Sequence, residues 1–332
     1  MQKNKITILI PCYNKEKFYS RLFKTLLKQK DQRFNIIFLN DASIDNTFDI
    51  LNKFKKNNLN KNIKIINLEK QVGIAEARNI LINNCESEYF YFIDADDFIS
   101  KNTIKNLNNI IYKEDKEIVL SNFRTLIKKI NVFNFLVNPF VKIKNNIDYL
   151  QKGIFFVWNV LINKKWFLDK NILFKPNFIY EDFSVSIPLI LSAQNFTYIN
   201  KFAYSYDLNL GGASKKHNSF KIESIAENIN YLYSNLENMN LYSQFKQHKI
   251  EKHFLSYIWI HMFFAWNYKK IIKNFEQFKP SLNKLINIDE KYNIEKKLKK
   301  IYKTKNLFFK NAFNNYIKVK KILKKNKTLN NK

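Results

Sequence analysis

The sequence predicts an α/β protein, a mostly parallel sheet flanked by helices, followed by a helical and lysine-rich extension. Three observations lead there. Apolar, β-branched runs alternate with amphipathic helical patterns through the first hundred residues. Three of those runs end in polar clusters, and from about Ser219 the pattern is almost wholly helical.

Ile6 to Ile10 (ITILI) is a continuous apolar run, as a strand covered on both faces reads. Lys15 to Lys28 then sets Phe18, Leu22, Phe23, Leu26 and Leu27 at helical spacing. A second strand, Asn35 to Leu39 (NIIFL), precedes the turn-rich NDASIDNT and a helical pattern through Phe54; a third runs from Ile63 to Leu68. QVGIAEARNILINNC enters a helix through Gly73, with Ile74, Ala77, Ile80, Leu81 and Ile82 as its inner stripe. Tyr89 to Ile93 (YFYFI) is a fourth strand and ends in DADD, Asp94 to Asp97. Such alternation calls for parallel strands joined by right-handed crossovers. Ligands of open α/β sheets bind beyond the carboxyl ends of the strands. CYN, NDAS and DADD, each at such an end, should therefore converge.

Beyond Asn109 the pattern predicts a strand at Ile118 to Ser121 and helices over Trp158 to Phe167 and Ser184 to Ser192, with YED (Tyr180 to Asp182) ahead of the second helix. Two further strands are expected at Phe196 to Ile199 and Phe202 to Tyr206. A boundary near Lys215 divides an α/β domain, residues 1–215, from a helical region, residues 216–332.

Composition narrows the function classes. With 332 residues and 46% hydrophobic content the chain can bury a sizeable core, and 4 Gly and 5 Pro exclude collagen-like and linker-rich architectures. Cys12 and Cys85 cannot build a disulfide framework, which suits a reducing compartment. The opening apolar run is too short for a signal peptide. Phe254 to Trp266 falls short of the roughly 20 residues that span a bilayer. The expectation is a cytoplasmic protein, soluble or peripheral on the inner face of the membrane. Net charge is +29, from 57 basic and 28 acidic residues, and the surplus is concentrated after Leu241. It implies an anionic partner: nucleic acid, anionic lipid or a phosphorylated substrate. An AT-rich coding sequence, which favours Asn and Lys, accounts for part of it.

Among residues that carry chemistry, the carboxylates of DADD can hold a divalent cation that also binds a diphosphate; they equally suit a solvated helix N-terminus. Asp41 fits a hydrogen bond from a nucleobase or ribose, or an N-cap or Asx turn. Asp182 fits a general base, or an N-cap acid. His217, His248, His253 and His261 lack ligand spacing, and Cys12 reads as packing. P-loop, nucleophile-elbow and dinucleotide glycine signatures are missing from the sequence, which disfavours kinase, hydrolase and dehydrogenase readings.

In order, ITILIPCYNKEKFYSRLFKTLLKQ, NIIFLNDASIDNTFDIL, QVGIAEARN and YFYFIDADDFI, with VWNVLINKKWFLDKNILFKPNFIYEDFSV downstream, resemble family 2 glycosyltransferases of the GT-A fold. The resemblance covers about the first 215 residues. It implies a nucleotide-sugar-binding half, residues 1–110, and an acceptor half, residues 111–215. By position it implies Pro11 and Tyr13 against the nucleobase, Asp41 on the base, Arg78 near the nucleotide and Asp94 at the ribose or metal. Asp96 would be the ligand of Mn2+ or Mg2+, and Asp182 the base of an inverting displacement. A UDP-sugar donor, a glycan or lipid-linked glycan acceptor of the cell surface, and no nucleic acid partner follow from the same resemblance. Departures are Asn40 for an acid, Ala42 for Gly, Gln71 for Asn, and Asp207 where many relatives carry Arg; the last bears on acceptor contacts.

Two rivals compete. A basic nucleic-acid-binding protein fits the charge, but helix-turn-helix, zinc and RNA-binding signatures are missing and acids stand at the strand ends. A non-catalytic adaptor of the same fold fits the elements but not the retention of Asp41, Asp94, Asp96 and Asp182. In the tail, Leu298, Ile301, Tyr302, Phe309, Phe313, Ile317 and Leu323 stand among lysines. They suit a helix lying on an anionic membrane, or a cap packed on protein; periodicity serves both equally.

Overall fold

In the computed structural model β1 (Ile6–Cys12) is buried along its whole length, as its continuous apolar run requires. Residues 4–127, 130–132, 143–207, 219–265, 268–302 and 313–323 are described. The chain divides into two units: residues 1–177 with 181–209, which hold the described strands, and residues 178–180 with 210–332, whose described elements are helices. The boundary expected near Lys215 falls within 208–218, outside the described residues.

In the first unit α1 (Tyr19–Leu27), β2 (Asn35–Asn40), α2 (Thr47–Lys56), β3 (Ile63–Asn67), α3 (Ile74–Asn83) and β4 (Tyr89–Phe92) follow the expected alternation. Strands β3, β2, β1 and β4 lie side by side, all parallel. Phe23 stacks on Phe54 at 3.8 Å and meets Phe38 edge-on, which fastens α1 and α2 to β2. The order β1–β2 then β1–β4 puts the carboxyl ends of β1, β2 and β4 together, as the polar clusters required.

Two helical stripes are narrower than their apolar residues suggested. In α1 Tyr19, Leu22 and Leu26 are buried, while Leu27 turns to solvent at 41% exposure. In α3 Ala75, Ala77, Arg78, Asn79, Leu81 and Ile82 are buried, and Ile74 and Ile80 sit at the margin. The inward face of α3 is thus partly polar, because Arg78 and Asn79 find partners below.

The second half of the sheet is mixed, with strands running both with and against the first half, and corrects several expectations. After β5 (Phe98–Ile99) and α4 (Thr103–Ile111), β6 (Ile118–Ile127) runs on six residues beyond the expected Ser121 and pairs with β7 (Ile130–Val132). α5 (Asn146–Gln151) precedes β8 (Val160–Asn163) and α6 (Lys164–Asp169). The expected helix over Trp158 to Phe167 is therefore a strand followed by a short helix. Val160, Leu161 and Ile162 lie between β4 and β6, where two ladders outweigh the helical pattern. α7 (Asp182–Ser192) begins at the YED segment. β9 (Phe196–Asp207) is one strand instead of two, parallel to β6, with the register shifting near Ser121 to Phe123. The sheet order is β3-β2-β1-β4-β8-β6-β9-β5, with β7 on β6.

The helical unit contains α8 (Ser219–Asn238), α9 (Tyr242–Gln247), α10 (Ile250–Ala265), α11 (Tyr268–Lys273), α12 (Phe275–Tyr292) and α13 (Ile294–Tyr302), then a helical stretch over 313–323. Leu298, Phe313, Tyr316, Val319 and Leu323 are buried there, and Ile317 is half-buried. Asp289, also buried, accepts hydrogen bonds from Tyr316 at 2.5 Å and from Lys320. Much of the tail's apolar stripe therefore packs on protein, while Lys318 and Lys321 face outward. Phe309 lies outside the described residues, as do the side chains of Ile301 and Tyr302. Among the described residues no helix is long and apolar enough to cross a membrane.

Candidate active site

Beyond Pro11 and Cys12 at the end of β1, the chain turns through Asn14, whose φ of 51° is left-handed. The turns after β1 and β2 are zipped together. The Asn14 amide donates to Ser43, Ile44 donates back to the Asn14 side chain at 2.9 Å, and Lys15 donates to Thr47. This stitching leaves the Tyr13 ring 39% exposed above the strand ends. Ala42 also has φ of 51°, a conformation that strains a side chain with Cβ.

Asp41 is 4% exposed and is not the cap of α2, a position taken by Asn46. Its carboxylate instead accepts the amides of Val72, at 2.7 Å, and Gly73, at 2.9 Å, and so holds the loop that opens α3. Gly73, with φ of 82°, supplies the one conformation there that other residues resist. Asn40 holds Asn67 across the β2–β3 ladder at 2.7 Å.

One turn into α3, Arg78 is only 2% exposed, with its guanidinium 5.5 Å from the Phe92 ring and 5.6 Å from Phe174. It binds three carboxylates from two segments: Asp94 at 3.0 Å, and the neighbours Glu181 and Asp182. Asp182 is the first residue of α7, and its side chain turns to Arg78 instead of capping the helix. Burial, then the charges of Glu181 and Asp94, push Asp182 up to about 8 against the lowering pull of Arg78. Burial raises Glu181 as well. One cation cannot hold three ionised acids in a poorly solvated place, so a proton is shared into the cluster near neutral pH.

The DADD turn is clamped from β9. The Tyr204 hydroxyl accepts the Asp94 amide at 3.1 Å and donates to Asp97 at 2.6 Å, and the Asp207 amide donates to Asp97 at 2.8 Å. Arg21 binds both the Asp96 carbonyl and the Asp207 carboxylate, and lies over the Phe98 ring. Asp97, fully buried, is thus a framework acid, with burial holding it well above the usual carboxylate range. Asp94 and Asp96 keep 27% and 21% of their side chains open. Asp96 already pairs with one cation, the Lys15 ammonium at 2.5 Å. Half-open carboxylates of this kind fit a hard divalent ion. Among the described residues no three His, Cys, Asp or Glu side chains form a metal cage, so such an ion would draw its other ligands from water and phosphate.

The structure thus brings Arg78, Asp94 and Asp182 into one network, sets Asp96 beside it on the same turn, and ties Asp41 at the end of β2 to the loop entering α3. Lys15, Glu181 and Tyr204 were not singled out from the sequence. Glu181 and Lys15 adjoin recognised motifs and were legible by adjacency, but nothing local marked Tyr204.

A parallel half-sheet whose strand ends carry this acidic turn, joined to a mixed half, defines a GT-A glycosyltransferase. The family described as "Glycosyl transferase family 2" matches residues 7–169. The processive diacylglycerol beta-glycosyltransferase of Mycoplasma genitalium is 30% identical over 321 residues, covering 91% of this chain and 92% of that one. The chain belongs to family 2 of the glycosyltransferases and is an enzyme of that class. Among solved structures, S. aureus TarS in complex with UDP-GlcNAc superimposes with a TM-score of 0.68 at 18% identity, over 97% of this chain and 92% of that chain. A mannosyltransferase from Pyrobaculum calidifontis in complex with GDP-Man and Mn2+ gives 0.55 at 11% identity, over 80% and 73%. Both share the fold.

Proposed function

We propose that the chain transfers a sugar, with inversion, from a UDP-sugar to the hydroxyl of diacylglycerol and then to the glycolipid so formed. The near full-length likeness to the mycoplasmal enzyme carries the acceptor. The glycan or lipid-linked glycan expected from the sequence becomes, in this reading, the acceptor of the second transfer. Ionised Asp182 takes the proton of the acceptor hydroxyl as its oxygen attacks the anomeric carbon from the face opposite the diphosphate. Arg78 fixes Asp182 and Asp94 in one frame, so the base and the donor end keep a constant separation. Pro11, Tyr13 and Asp41 line the nucleotide end. Asp96, with Asp94 beside it, would hold Mn2+ or Mg2+, which would supply positive charge to the leaving diphosphate. Outward lysines such as Lys318 and Lys321 hold the enzyme at an anionic bilayer, each contributing about 1 kcal/mol near the surface.

The test is transfer from radiolabelled UDP-hexoses to vesicles of diacylglycerol and anionic lipid, with and without Mn2+. Labelled glycolipid of inverted linkage is expected. Donor hydrolysis without glycolipid, or transfer only to water-soluble polymers, would overturn the acceptor.

A further inference from the structure

The acidic turn after β4 is gripped at a point that the chemistry above leaves aside. Tyr204 and Asp207 hold its Asp94 and Asp97 ends from β9. Between those ends, the Asp96 carbonyl accepts a hydrogen bond at 3.2 Å from Nη2 of Arg21, in α1. The same nitrogen pairs with the Asp207 carboxylate, and the guanidinium lies 4.3 Å from the centre of the Phe98 ring. Asp207 also gives its amide to the Asp97 carboxylate at 2.8 Å. These bonds close a ring that runs from the Asp96 carbonyl through Arg21 and Asp207 to Asp97, and along the chain back to Asp96.

A peptide unit is planar, so holding the Asp96 carbonyl orients the whole unit between Asp96 and Asp97. That narrows the directions in which the Asp96 carboxylate can point. The Arg21 side chain is 42% open and that of Asp207 17%. An ion pair so open contributes little to stability, because water screens it and two side chains lose freedom. What it fixes is geometry: a guanidinium nitrogen with two hydrogens spans a carbonyl and a carboxylate at once, and the Phe98 ring lies against its plane.

We infer that Arg21 and Asp207 are positioning residues for Asp96, and set where its carboxylate meets the cation that accompanies the donor's diphosphate. The inference rests on the reading of Asp96 above as the ligand of that cation. Both residues act through Asp96 and neither contacts the reacting atoms. Asp207, expected from the sequence to bear on acceptor contacts, thus serves the acidic turn.

The probe is UDP, titrated into the full chain by calorimetry once in excess Mn2+ and once in chelator. The ratio of the two affinities measures what the ion contributes. Arg21→Met and Asp207→Asn should each cut that ratio about tenfold, the lower end of what the partners behind a metal ligand contribute. The affinity in chelator and the melting temperature should stay unchanged. The two substitutions remove opposite charges, so an effect of charge alone would move the ratio in opposite directions. The double variant should lose no more than either single one, because both break the same ring. Arg21→Lys, which keeps a charged donor, should recover part of the loss. A ratio unaltered in both single variants, or shifted in opposite directions by them, would overturn the inference. Asp96→Ala separates the two readings. If it abolishes the ion's contribution while Arg21→Met does not, the cation site stands and the positioning role fails; if it too leaves the ratio unaltered, both fail.

Discussion

Replacing Arg78 with Met removes the only cation bonded to Asp94, Glu181 and Asp182 among the described residues while keeping much of the side chain's volume. Removing one partner of a buried ion pair costs about 3–5 kcal/mol, because the opposing charge stays behind unpaired. Three acids stay behind here, with side chains 27%, 6% and 21% open, and the two more open ones can hydrate or take up a proton. The loss at neutral pH should therefore lie near the lower end, about 3 kcal/mol. The sign with pH can also be worked out. Asp182 already holds its proton up to about 8 in the folded chain, against an ordinary value near 4 when unfolded. The native state then binds more protons than the unfolded one over that window, so stability falls as pH rises through it. Without the arginine's lowering pull the acids rise further, and the fall should be steeper and extend above pH 8. Urea unfolding followed by tryptophan fluorescence at pH 6 and pH 8.5 reads both effects. Arg78→Lys should recover part of the loss, since a single ammonium cannot reach all three acids in the guanidinium's geometry. A loss below about 1 kcal/mol that is the same at both pH values would refute the view of Arg78 as an electrostatic hub.

Transfer should fall as pH drops through about 8, because only ionised Asp182 accepts the proton; Asp182→Asn should lose about 10²–10⁴-fold in kcat with donor affinity retained, and an acid limb persisting in the residual activity would assign it to another group. Asp96→Ala, or excess chelator on the unaltered chain, should abolish transfer in the glycolipid assay, whereas full activity in chelator would remove the metal from the mechanism. Calorimetry should show Gly73→Ala losing about 1–3 kcal/mol from backbone strain alone, since an added Cβ meets nothing within 4 Å, and Ala42→Gly gaining about 1 kcal/mol; the opposite signs would contradict the left-handed assignments. Tyr316→Phe should cost the helical unit about 1–3 kcal/mol by leaving buried Asp289 short of a donor, while an unmoved melting curve would leave the tail free of a packing role.

Much of this molecule was legible in the sequence because its signals are local. ITILI and YFYFI announce strands buried on both faces, and Gly73 announces a turn that other residues resist. The order of CYN, NDAS and DADD on successive parallel strands brings them to one edge, whatever the packing details. Where two local patterns compete, the sequence is silent. Val160 to Ile162 could close a helical turn, and became a strand only because β4 and β6 offered ladders on both sides. Arg78 shows the same limit at the site. Its residue type and motif were plain, but Asp94 lies 16 residues away, and Glu181 and Asp182 lie 103 and 104 away. Ion pairing depends on distance in space, and no periodicity encodes it. Tertiary structure alone therefore decided that Asp182 faces a guanidinium instead of capping its helix, that Asp41 serves the loop entering α3, and that Tyr204 holds the acidic turn. It also turned much of the tail's apolar stripe onto protein: a helix carries the same 3.6-residue period whether lipid or a neighbouring helix covers it, and only the neighbour's presence distinguishes the two.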